Sequence, residues 1–291
     1  MEGLGLDIWP DRNVQPMLFY TLFAFLGLIL GSFASAMAYR IPRLHDWFLE
    51  EVGEKRKPYL SSFRSALLHR SRCTNCDCVL KPRDLFPLLS WLLNKGKCRF
   101  CTDKISLRYP LLELGCMLAV LLIVWQVEHQ FLSVLLIVGL PFAAASLLVD
   151  LEALILPDEF TLALGLLGLL YAAEQSFFRG FLITPWADYL QFIFCGLTYG
   201  LLGWLLQFSF WKFTGKEGLG WGDIKFFVVA GIWLGWFLMP VYLIIGCIIG
   251  GLVGLAYKAM HKQALFPFGP ALIVALYITL IFKAELEALV Y

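Results

Sequence analysis

Two aspartates of this sequence stand where a carboxyl group could do chemistry beside a membrane. Asp150 directly follows a run of apolar and small residues, and Asp223 follows Gly220-Trp221-Gly222 just before another apolar run. Ionisable side chains are costly to place near lipid, which makes them candidate functional groups. Two carboxyls that meet cannot both ionise easily, so one keeps its proton and polarises a carbonyl while the other activates water. Asp150 and Asp223 are therefore candidate catalytic residues for peptide hydrolysis by the aspartic-protease mechanism.

The position of each aspartate in its predicted helix indicates which of them is ionised. The helix dipole disfavours an anion at the C-terminus of a helix and favours one at the N-terminus. The sequence predicts that Asp150 ends one helix and that Asp223 begins another. Asp223 is therefore expected to be the ionised partner in the substrate-free protein, and the pair is expected to titrate as a unit.

Other groups near the two aspartates have simpler interpretations. Asp158 follows Leu156-Pro157 and is expected to cap the next helix, while Glu152 is expected to mark the membrane–water boundary. The glycines before Asp223 allow a close approach of the backbone to another segment. They do not form a phosphate-binding loop, because the spacing and the Lys-Ser/Thr pair of a P-loop are missing and no strand precedes them. Neither nucleotide nor nucleic acid is expected as a partner.

The sequence favours no other hydrolytic machinery. A Ser-His-Asp or Cys-His arrangement requires a histidine that has a nucleophile as its neighbour. The histidines of this chain are far apart in sequence, and none of them has a convincing nucleophile nearby. These isolated histidines are His45, His69, His129 and His261.

Four cysteines in the first polar loop predict a metal site. Cys73 and Cys76 form one CxxC pair, and Cys98 and Cys101 form a second pair after 21 intervening residues. In a reducing compartment such pairs bind metal more often than they form disulfides. Four thiolates suit a closed, structural Zn²⁺ site that stabilises a loop with little core of its own. A reduced thiol cluster or a redox pair is the alternative, for which Cys78 supplies a fifth thiol.

The composition is typical of a membrane protein. Of the 291 residues, 60% are hydrophobic and 15% are charged, whereas soluble domains are nearer half apolar and a quarter charged. The long apolar runs are too long for barrel strands, so they predict helices that satisfy their own backbone within lipid. We predict an all-α polytopic membrane protein with about eight transmembrane helices, in which a break at Met239-Pro240 separates the sixth from the seventh. The runs are 17–38, 110–127, 131–149, 159–174, 188–210, 225–239, 240–257 and 266–284.

The basic residues predict how the chain is oriented. Fifteen of the 23 lysines and arginines lie between Arg40 and Arg108, and basic loops stay on the cytoplasmic side. With eight spans, both aspartates and the large first loop are cytoplasmic and both termini are outside. The polar, acid-containing N-terminus does not resemble a cleavable signal, so the first apolar run is expected to be a retained anchor.

Three regions follow from this topology. We expect residues 1–38 to hold the N-terminus and first transmembrane helix. Residues 39–109 are expected to form a cytoplasmic zinc-binding insert, and residues 110–291 a membrane domain of seven helices. Glycines at four-residue spacing in the last region indicate close helix packing, with a substrate groove as the alternative. They are Gly246, Gly250 and Gly254.

A series of motifs, in order along nearly the whole chain, resembles that of the bifunctional type IV prepilin peptidases, a family of GxGD-type aspartic proteases. The second CxxC pair and the segment from Gly220 to Lys225 match the zinc-binding loop and the second catalytic motif of that family. The matching segments are Gly31-Ser32-Phe33 with Tyr39-Arg40-Ile41-Pro42, Arg72 to Cys76, Asp84 to Pro87, Cys98 to Cys101, Arg108 to Glu113, Asp150 with Leu156-Pro157-Asp158, Gly220 to Lys225 and Phe266 to Pro270.

The resemblance implies a specific activity. Such enzymes remove the short basic leader of type IV prepilins and pseudopilins, after a glycine, on the cytoplasmic side of the bacterial inner membrane. They serve pilus assembly and type II secretion. Members with the cytoplasmic insert then methylate the new N-terminus with S-adenosylmethionine. Prepilin-like substrates and membrane lipid are the implied partners. The implied site residues are Asp150 and Asp223 as catalytic groups, with Gly220, Gly222, Lys225, Pro157 and Gly269 in support.

Two other classes of function remain open from the residues alone. A transporter or channel would use the acids as ion ligands or proton relays, and it predicts acids near the middle of the spans and an internal repeat. A zinc-dependent scaffold predicts that neither Asp150 nor Asp223 is needed for function. Both aspartates lie near one membrane face and the sequence has no evident repeat, which favours the protease.

Overall fold

The computed structural model describes residues 17–53, 55, 68–177, 185–215, 218–261 and 266–290. In this part of the chain the regular secondary structure is helical, apart from two isolated β-bridges. A helix satisfies every backbone group within one apolar segment, which is why the apolar runs fold this way. The α-helices are α1 (Met17–Arg40), α2 (Asp46–Val52), α3 (Leu89–Leu93), α4 (Arg108–Gln126), α5 (Gln130–Ala153), α6 (Asp158–Phe177), α7 (Pro185–Thr214), α8 (Trp221–His261), α9 (Gly269–Ile281) and α10 (Lys283–Val290), and 3₁₀ turns cover Pro42–Leu44 and Pro82–Asp84.

Among the described residues, six helices are long and apolar enough to cross a membrane, and the chain is a multi-pass membrane protein. The predicted runs 225–239 and 240–257 fall within the single element α8, and the run 266–284 contains the 13-residue α9. The count of eight spans therefore stays a prediction. The six candidate spans are Met17–Leu44, Arg108–Gln126, Gln130–Ala153, Asp158–Phe177, Trp186–Thr214 and Trp221–Ala259.

The element α8 consists of two arms that meet at Gly235. This residue has φ 63° and ψ −169°, a backbone conformation that essentially only glycine adopts. The predicted break at Met239-Pro240 is wrong, because both residues lie inside the second arm. The sequence rule fails here because proline only bends a helix by loss of one hydrogen bond, whereas positive φ at glycine redirects the chain.

The two arms of α8 run in opposite directions. The first arm starts near Asp223, which lines a cavity together with Asp150. The second arm packs against the start of α9, where Gly250 lies against the ring of Phe268. Gly269, the next residue, donates a hydrogen bond to Asp150. The start of the first arm and the later part of the second arm therefore lie at the same end of the helices.

The described residues form two compact units. Those of Met1–Ala36 and Leu67–Pro141 form the N-terminal unit, and those of Met37–Ala66 and Phe142–Tyr291 form the C-terminal unit. In the N-terminal unit, α1 and α4 approach closely at Gly31, where an added Cβ would lie 2.6 Å from the Cα of Glu113. Small residues let membrane helices come this close.

Glycines also set the packing of the C-terminal unit. An added Cβ at Gly231 of α8 would lie 2.6 Å from the Cα of Gly196 of α7. The predicted packing role of the glycine stripe in the second arm of α8 is confirmed, because Gly250 faces Phe268 and Gly254 faces Phe266 at 3.1 Å. In the described part of the chain these glycines contact phenylalanines of the chain itself, which favours packing over a substrate groove.

Candidate active site

Asp150 is held in the last turn of α5 by the backbone at the start of α9. The residue is buried, with only 5% of its surface exposed. The backbone N–H of Gly269 donates to Oδ2 of Asp150 over 3.0 Å. An added Cβ at Gly269 would lie 2.8 Å from that oxygen and 2.9 Å from Cδ2 of Leu156. Only glycine therefore fits between the carboxylate and Leu156.

Asp223 lies in the first turn of α8 and is half-buried. The backbone N–H of Gly220 donates to Oδ2 of Asp223 over 3.3 Å. An added Cβ at Gly222 would lie 2.9 Å from Cβ of Leu156. The glycines of the GxGD segment thus serve two purposes: one supplies a donor to the carboxylate, and the other allows the turn to approach the segment after Asp150.

Both aspartates line one cavity of about 380 Å³ in the C-terminal unit. They are within electrostatic range of each other. The cavity is formed by the end of α5, the segment leading into α6, the turn before α8 and a residue that follows α1. Its lining residues are His45, Asp150, Leu154, Ile155, Leu156, Pro157, Asp158, Glu159, Gly220, Trp221, Gly222, Asp223 and Lys225.

Two charge pairs stand at this cavity. Nζ of Lys225 lies 2.6 Å from Oδ1 of Asp158, and Nε2 of His45 lies 2.5 Å from Oε1 of Glu159. Asp158 was expected to cap a helix. That expectation is wrong, because Asp158 is the first residue of α6 and its side chain pairs with Lys225. His45, which has no nucleophile near it in the sequence, is paired with the carboxylate of Glu159, 114 residues away.

Pro157 lines the cavity, whereas Glu152 lies outside it. Pro157 is buried and lines the cavity, and its carbonyl accepts hydrogen bonds from the N–H and the hydroxyl of Thr161. It therefore ends the connection from α5 and starts α6. Glu152 is exposed two residues beyond Asp150 and does not line the cavity.

The four predicted metal ligands come together in the N-terminal unit. The sulfurs of Cys73, Cys76, Cys98 and Cys101 all lie within 4.8 Å of one another. The Sγ atoms of Cys73 and Cys101 are 3.8 Å apart. A tetrahedral Zn²⁺ with Zn–S bonds of about 2.3 Å requires sulfurs about 3.8 Å apart. The thiol cluster therefore fits a zinc ion.

Two matching knuckles build this cluster. The N–H of Cys73 bonds to the carbonyl of Cys78, and the N–H of Cys98 bonds to that of Asp103. Asp77 and Thr102, each four residues after the first cysteine of its pair, have φ of 53° and 58°. In this repeated turn the fifth thiol, that of Cys78, occupies the position that Asp103 has in the second knuckle. Cys78 is therefore outside the four-cysteine set.

The surroundings of Cys98 favour its thiolate. Burial disfavours its thiolate, but hydrogen bonds from the backbone N–H groups of Cys101 and Phe100 and from the thiols of Cys73 and Cys101 together lower the pKa of Cys98 to about 7. Thiolates are the metal-binding form of cysteine. Four sulfurs complete a tetrahedron and leave no open position for water, which is the arrangement of a structural metal site.

Comparison with known proteins decides the family. The prepilin leader peptidase/N-methyltransferase of Pseudomonas putida is 31% identical over 291 residues, which is 97% of each chain. Residues 134–255 match the type IV leader peptidase family, and residues 25–127 match the bacterial peptidase A24 N-terminal domain. The chain belongs to the type IV leader peptidase family.

Other members of the type IV leader peptidase family are similarly close. The prepilin leader peptidase/N-methyltransferase of Dickeya chrysanthemi is 32% identical over 93% of this chain and 95% of its own. The type 4 prepilin-like proteins leader peptide-processing enzyme of Escherichia coli O78:H11 (strain H10407) is 37% identical over 84% of this chain and 87% of its own. No solved structure is significantly similar. The resemblance drawn from the motifs is thereby confirmed.

The sequence did not reveal every group at the site of this leader peptidase family member. Nothing in the sequence marked His45 or Glu159 as site residues, because neither stands in an unusual apolar context. The sequence did draw attention to Asp158, because it follows Pro157 in the motif that contains Asp150. We interpreted it only as the cap of the next helix. The hydrogen bond from Gly269 to Asp150 was also invisible, because it joins residues 119 positions apart through a backbone group.

Proposed function

We propose that this protein is a membrane aspartic endopeptidase that removes the leader of type IV prepilins or pseudopilins after a glycine and then N-methylates the new terminus. One observation carries the protease assignment: Asp150 and Asp223 line a single cavity, and each receives one backbone N–H from a glycine. Peptide hydrolysis by two carboxyls needs this shared site. The family and the names of its members support the same activity.

The proposed reaction uses both carboxyls in turn. Asp223, at a helix N-terminus, is the ionised group and takes a proton from water, whose oxygen attacks the scissile carbonyl carbon. Asp150, at the end of α5, holds the shared proton and donates a hydrogen bond to the carbonyl oxygen. A proton then passes to the leaving nitrogen, the C–N bond breaks, and the pair again holds one proton. Lys225, Gly220, Gly222, Pro157 and Gly269 support this geometry.

The cavity is matched to a cationic or neutral peptide segment. Among the described residues, four carboxyl groups line it, against one lysine, Lys225, and one histidine, His45. Asp158 and Glu159 are paired with these two side chains. A leader with basic residues suits such a lining better than an acidic one.

We place the site and the zinc-binding insert on the cytoplasmic side of a bacterial inner membrane. The positive-inside bias of the loop from Arg40 to Arg108 supports this orientation. The reversal of α8 at Gly235 supports eight crossings, because it divides one long element into two antiparallel arms. The proposed division remains 1–38, 39–109 and 110–291.

The insert is proposed to hold one structural Zn²⁺ and to serve the methylation step. Cys73, Cys76, Cys98 and Cys101 are the proposed ligands, supported by their sulfur spacing. S-adenosylmethionine would supply the methyl group for the new amine. No residue is assigned to its binding, since the chain carries no methyl-donor fingerprint that the sequence makes evident.

Cleavage of a prepilin by the purified full-length protein in detergent tests the protease assignment. We expect Asp150→Asn and Asp223→Asn each to abolish cleavage while folding and zinc content are retained. Glu152→Gln is the matched control, because this exposed acid is two residues from Asp150 and outside the cavity. Full cleavage by either aspartate variant would remove that residue from the mechanism and favour the scaffold or transporter.

The methylation assignment has its own measurement. Mass spectrometry of the mature N-terminus, with S-adenosylmethionine present, should show a gain of one methyl group. We expect Asp150→Asn to methylate a pre-cleaved substrate normally, because the dyad is needed only for hydrolysis. Absence of methylation by the wild type, with cleavage intact, would leave a peptidase without the second activity.

A further inference from the structure

Two hydroxyl groups of the C-terminal unit are buried without a hydrogen-bond partner. Ser146 is 1% exposed and Tyr242 is 0% exposed. Neither hydroxyl bonds to a group in the part of the chain that the structure describes. A buried hydroxyl is costly unless it is hydrogen-bonded, so native proteins nearly always satisfy it. These two groups therefore require a partner that is not a protein group of the described chain.

Other buried hydroxyls in the described residues find partners in the protein. Tyr171, which is as deeply buried as Tyr242, accepts a hydrogen bond from Nζ of Lys283 over 2.8 Å. Serine and threonine usually bond back to a carbonyl one turn earlier, and Ser146 does not. Each of the other buried serines and threonines bonds to a nearby backbone carbonyl, namely Ser35, Ser133, Thr161, Ser176 and Thr279.

Ser146 is next to the first aspartate of the pair. It stands four residues before Asp150 in α5, so the two side chains lie on the same helix face one turn apart. One such step is a rise of about 6 Å along the axis. The Ser146 side chain therefore lies one turn before Asp150, on the side of α5 that faces the interior of the C-terminal unit.

Tyr242 is buried in the second arm of α8, within electrostatic range of the second aspartate. It lies one turn before Gly246 in the second arm of α8, and Gly246 packs against Ala275 of α9. Helix α9 starts beside Asp150 and runs antiparallel to this arm. Tyr242 therefore lies further from the Asp150 end of the helices than Gly246 does. Its hydroxyl is within electrostatic range of Asp223.

The two carboxyls have room for further donors. Asp150 and Asp223 each receive one backbone hydrogen bond, from Gly269 and Gly220, and both of these bonds go to Oδ2. A carboxylate accepts about four hydrogen bonds. The unpartnered hydroxyls lie on the same side of the pair, and a water molecule has the two donors and two acceptors needed to join them to the carboxyls.

We propose that Ser146 and Tyr242 are positioning residues for the aspartate pair, and that their hydroxyls hold internal water that donates hydrogen bonds to the carboxyls from the interior of the unit. This inference rests on the proposed protease function. The held water stabilises the ionised form of the pair and fixes the orientation of both side chains. The other ionisable groups around the pair are His45, Asp158, Glu159, Lys225 and, near Tyr242, Cys247.

The pH dependence of prepilin cleavage by full-length protein tests the inference. We expect Ser146→Ala and Tyr242→Phe each to move the acidic limb of kcat/KM to higher pH by about one unit. The reason is that loss of the hydroxyl removes a hydrogen bond to the ionised carboxyl. KM should change little, because neither residue contacts the peptide. Ser146→Thr keeps a hydroxyl and should restore the wild-type limb.

Matched variants separate this role from a purely structural one. Ser176→Ala and Tyr171→Phe remove buried hydroxyls that already have protein partners, and we expect both to keep the wild-type pH profile. A wild-type limb in both Ser146→Ala and Tyr242→Phe would overturn the inference. If Ser146→Ala does not fold, Tyr242→Phe and Ser146→Thr decide it. Activity in Asp150→Asn would instead overturn the proposed protease function, so the two failures are distinguishable.

Discussion

The backbone N–H of Gly269 donates to Oδ2 of Asp150 over 3.0 Å, and a Cβ added to this glycine would lie 2.8 Å from the same oxygen. The hydrogen bond uses a backbone N–H, which every residue except proline has. The approach of the backbone to the buried carboxyl, however, is so close that only glycine fits at this position. This contact makes the last apolar helix part of the site, although it contributes no reactive side chain.

Gly269→Ala should lower cleavage by about 100-fold or more. The methyl group would displace the carboxyl of Asp150, and a shift of about 1 Å in a catalytic group costs about that factor. The measurement is kcat/KM for a prepilin together with thermal unfolding in detergent. Gly251→Ala is the control, because nothing lies within 4 Å of the Cβ added there. Wild-type activity in Gly269→Ala would show that the contact with Asp150 is dispensable.

Gly222→Ala should also impair cleavage, by moving the turn that carries Asp223. Its Cβ would meet Cβ of Leu156 at 2.9 Å, and neither of these atoms can rotate away. We expect a loss of about 10- to 100-fold in kcat/KM with unchanged zinc content. Equal losses in Gly222→Ala and Gly251→Ala would indicate a general effect on the helix rather than a local one.

Lys225 and Asp158 should behave as an exchangeable charge pair. Their side chains are 50% and 71% exposed, so the pair adds less than about 1 kcal/mol to stability. Reversal of either charge alone should reduce cleavage by about fivefold, which corresponds to about 1 kcal/mol. The double variant Lys225→Asp with Asp158→Lys should recover most of the loss. A double variant as impaired as the worse single one would mean that Lys225 acts independently of Asp158.

Removal of the metal should unfold the knuckles and leave the dyad intact. Cys73→Ser is expected to lose the bound Zn²⁺, because three ligands no longer close the tetrahedron. Cys78→Ser should retain one zinc per chain, since Cys78 is outside the four-cysteine cluster. Elemental analysis and limited proteolysis measure both effects. Immediate loss of peptide cleavage on chelation, with the insert still protected from proteolysis, would contradict a structural role.

Glu113 should stabilise the N-terminal unit through its hydrogen bond to the backbone of Leu88. Its Oε2 accepts the N–H of Leu88 over 2.7 Å, at a residue with φ of 56°. Glu113→Leu leaves this donor without a partner and should cost about 1–3 kcal/mol of unfolding free energy. Glu113→Gln keeps an acceptor and should cost less. Equal stability of the two variants in thermal unfolding would show that the Leu88 bond contributes nothing.

The sequence by itself determined the helices and the chemistry that two residue sets could perform. Apolar runs must become helices, because lipid supplies no partners for the backbone. The CxxC spacing predicted a cluster of Cys73, Cys76, Cys98 and Cys101, which the structure confirms as a possible metal site. Asp150 and Asp223 stood out because charge beside apolar segments is costly, and they do line the same cavity.

Only the tertiary structure decided which distant groups surround the aspartates. The contacts from Gly269 to Asp150, from His45 to Glu159 and from Lys225 to Asp158 join residues 119, 114 and 67 positions apart. Local patterns carry no information about such pairs, because hydropathy and propensity describe neighbours within a few turns of one helix. The reversal at Gly235 was missed for a related reason: a glycine inside an apolar run is compatible with either a straight helix or a positive φ, and only packing against α6, α7 and α9 selects the second.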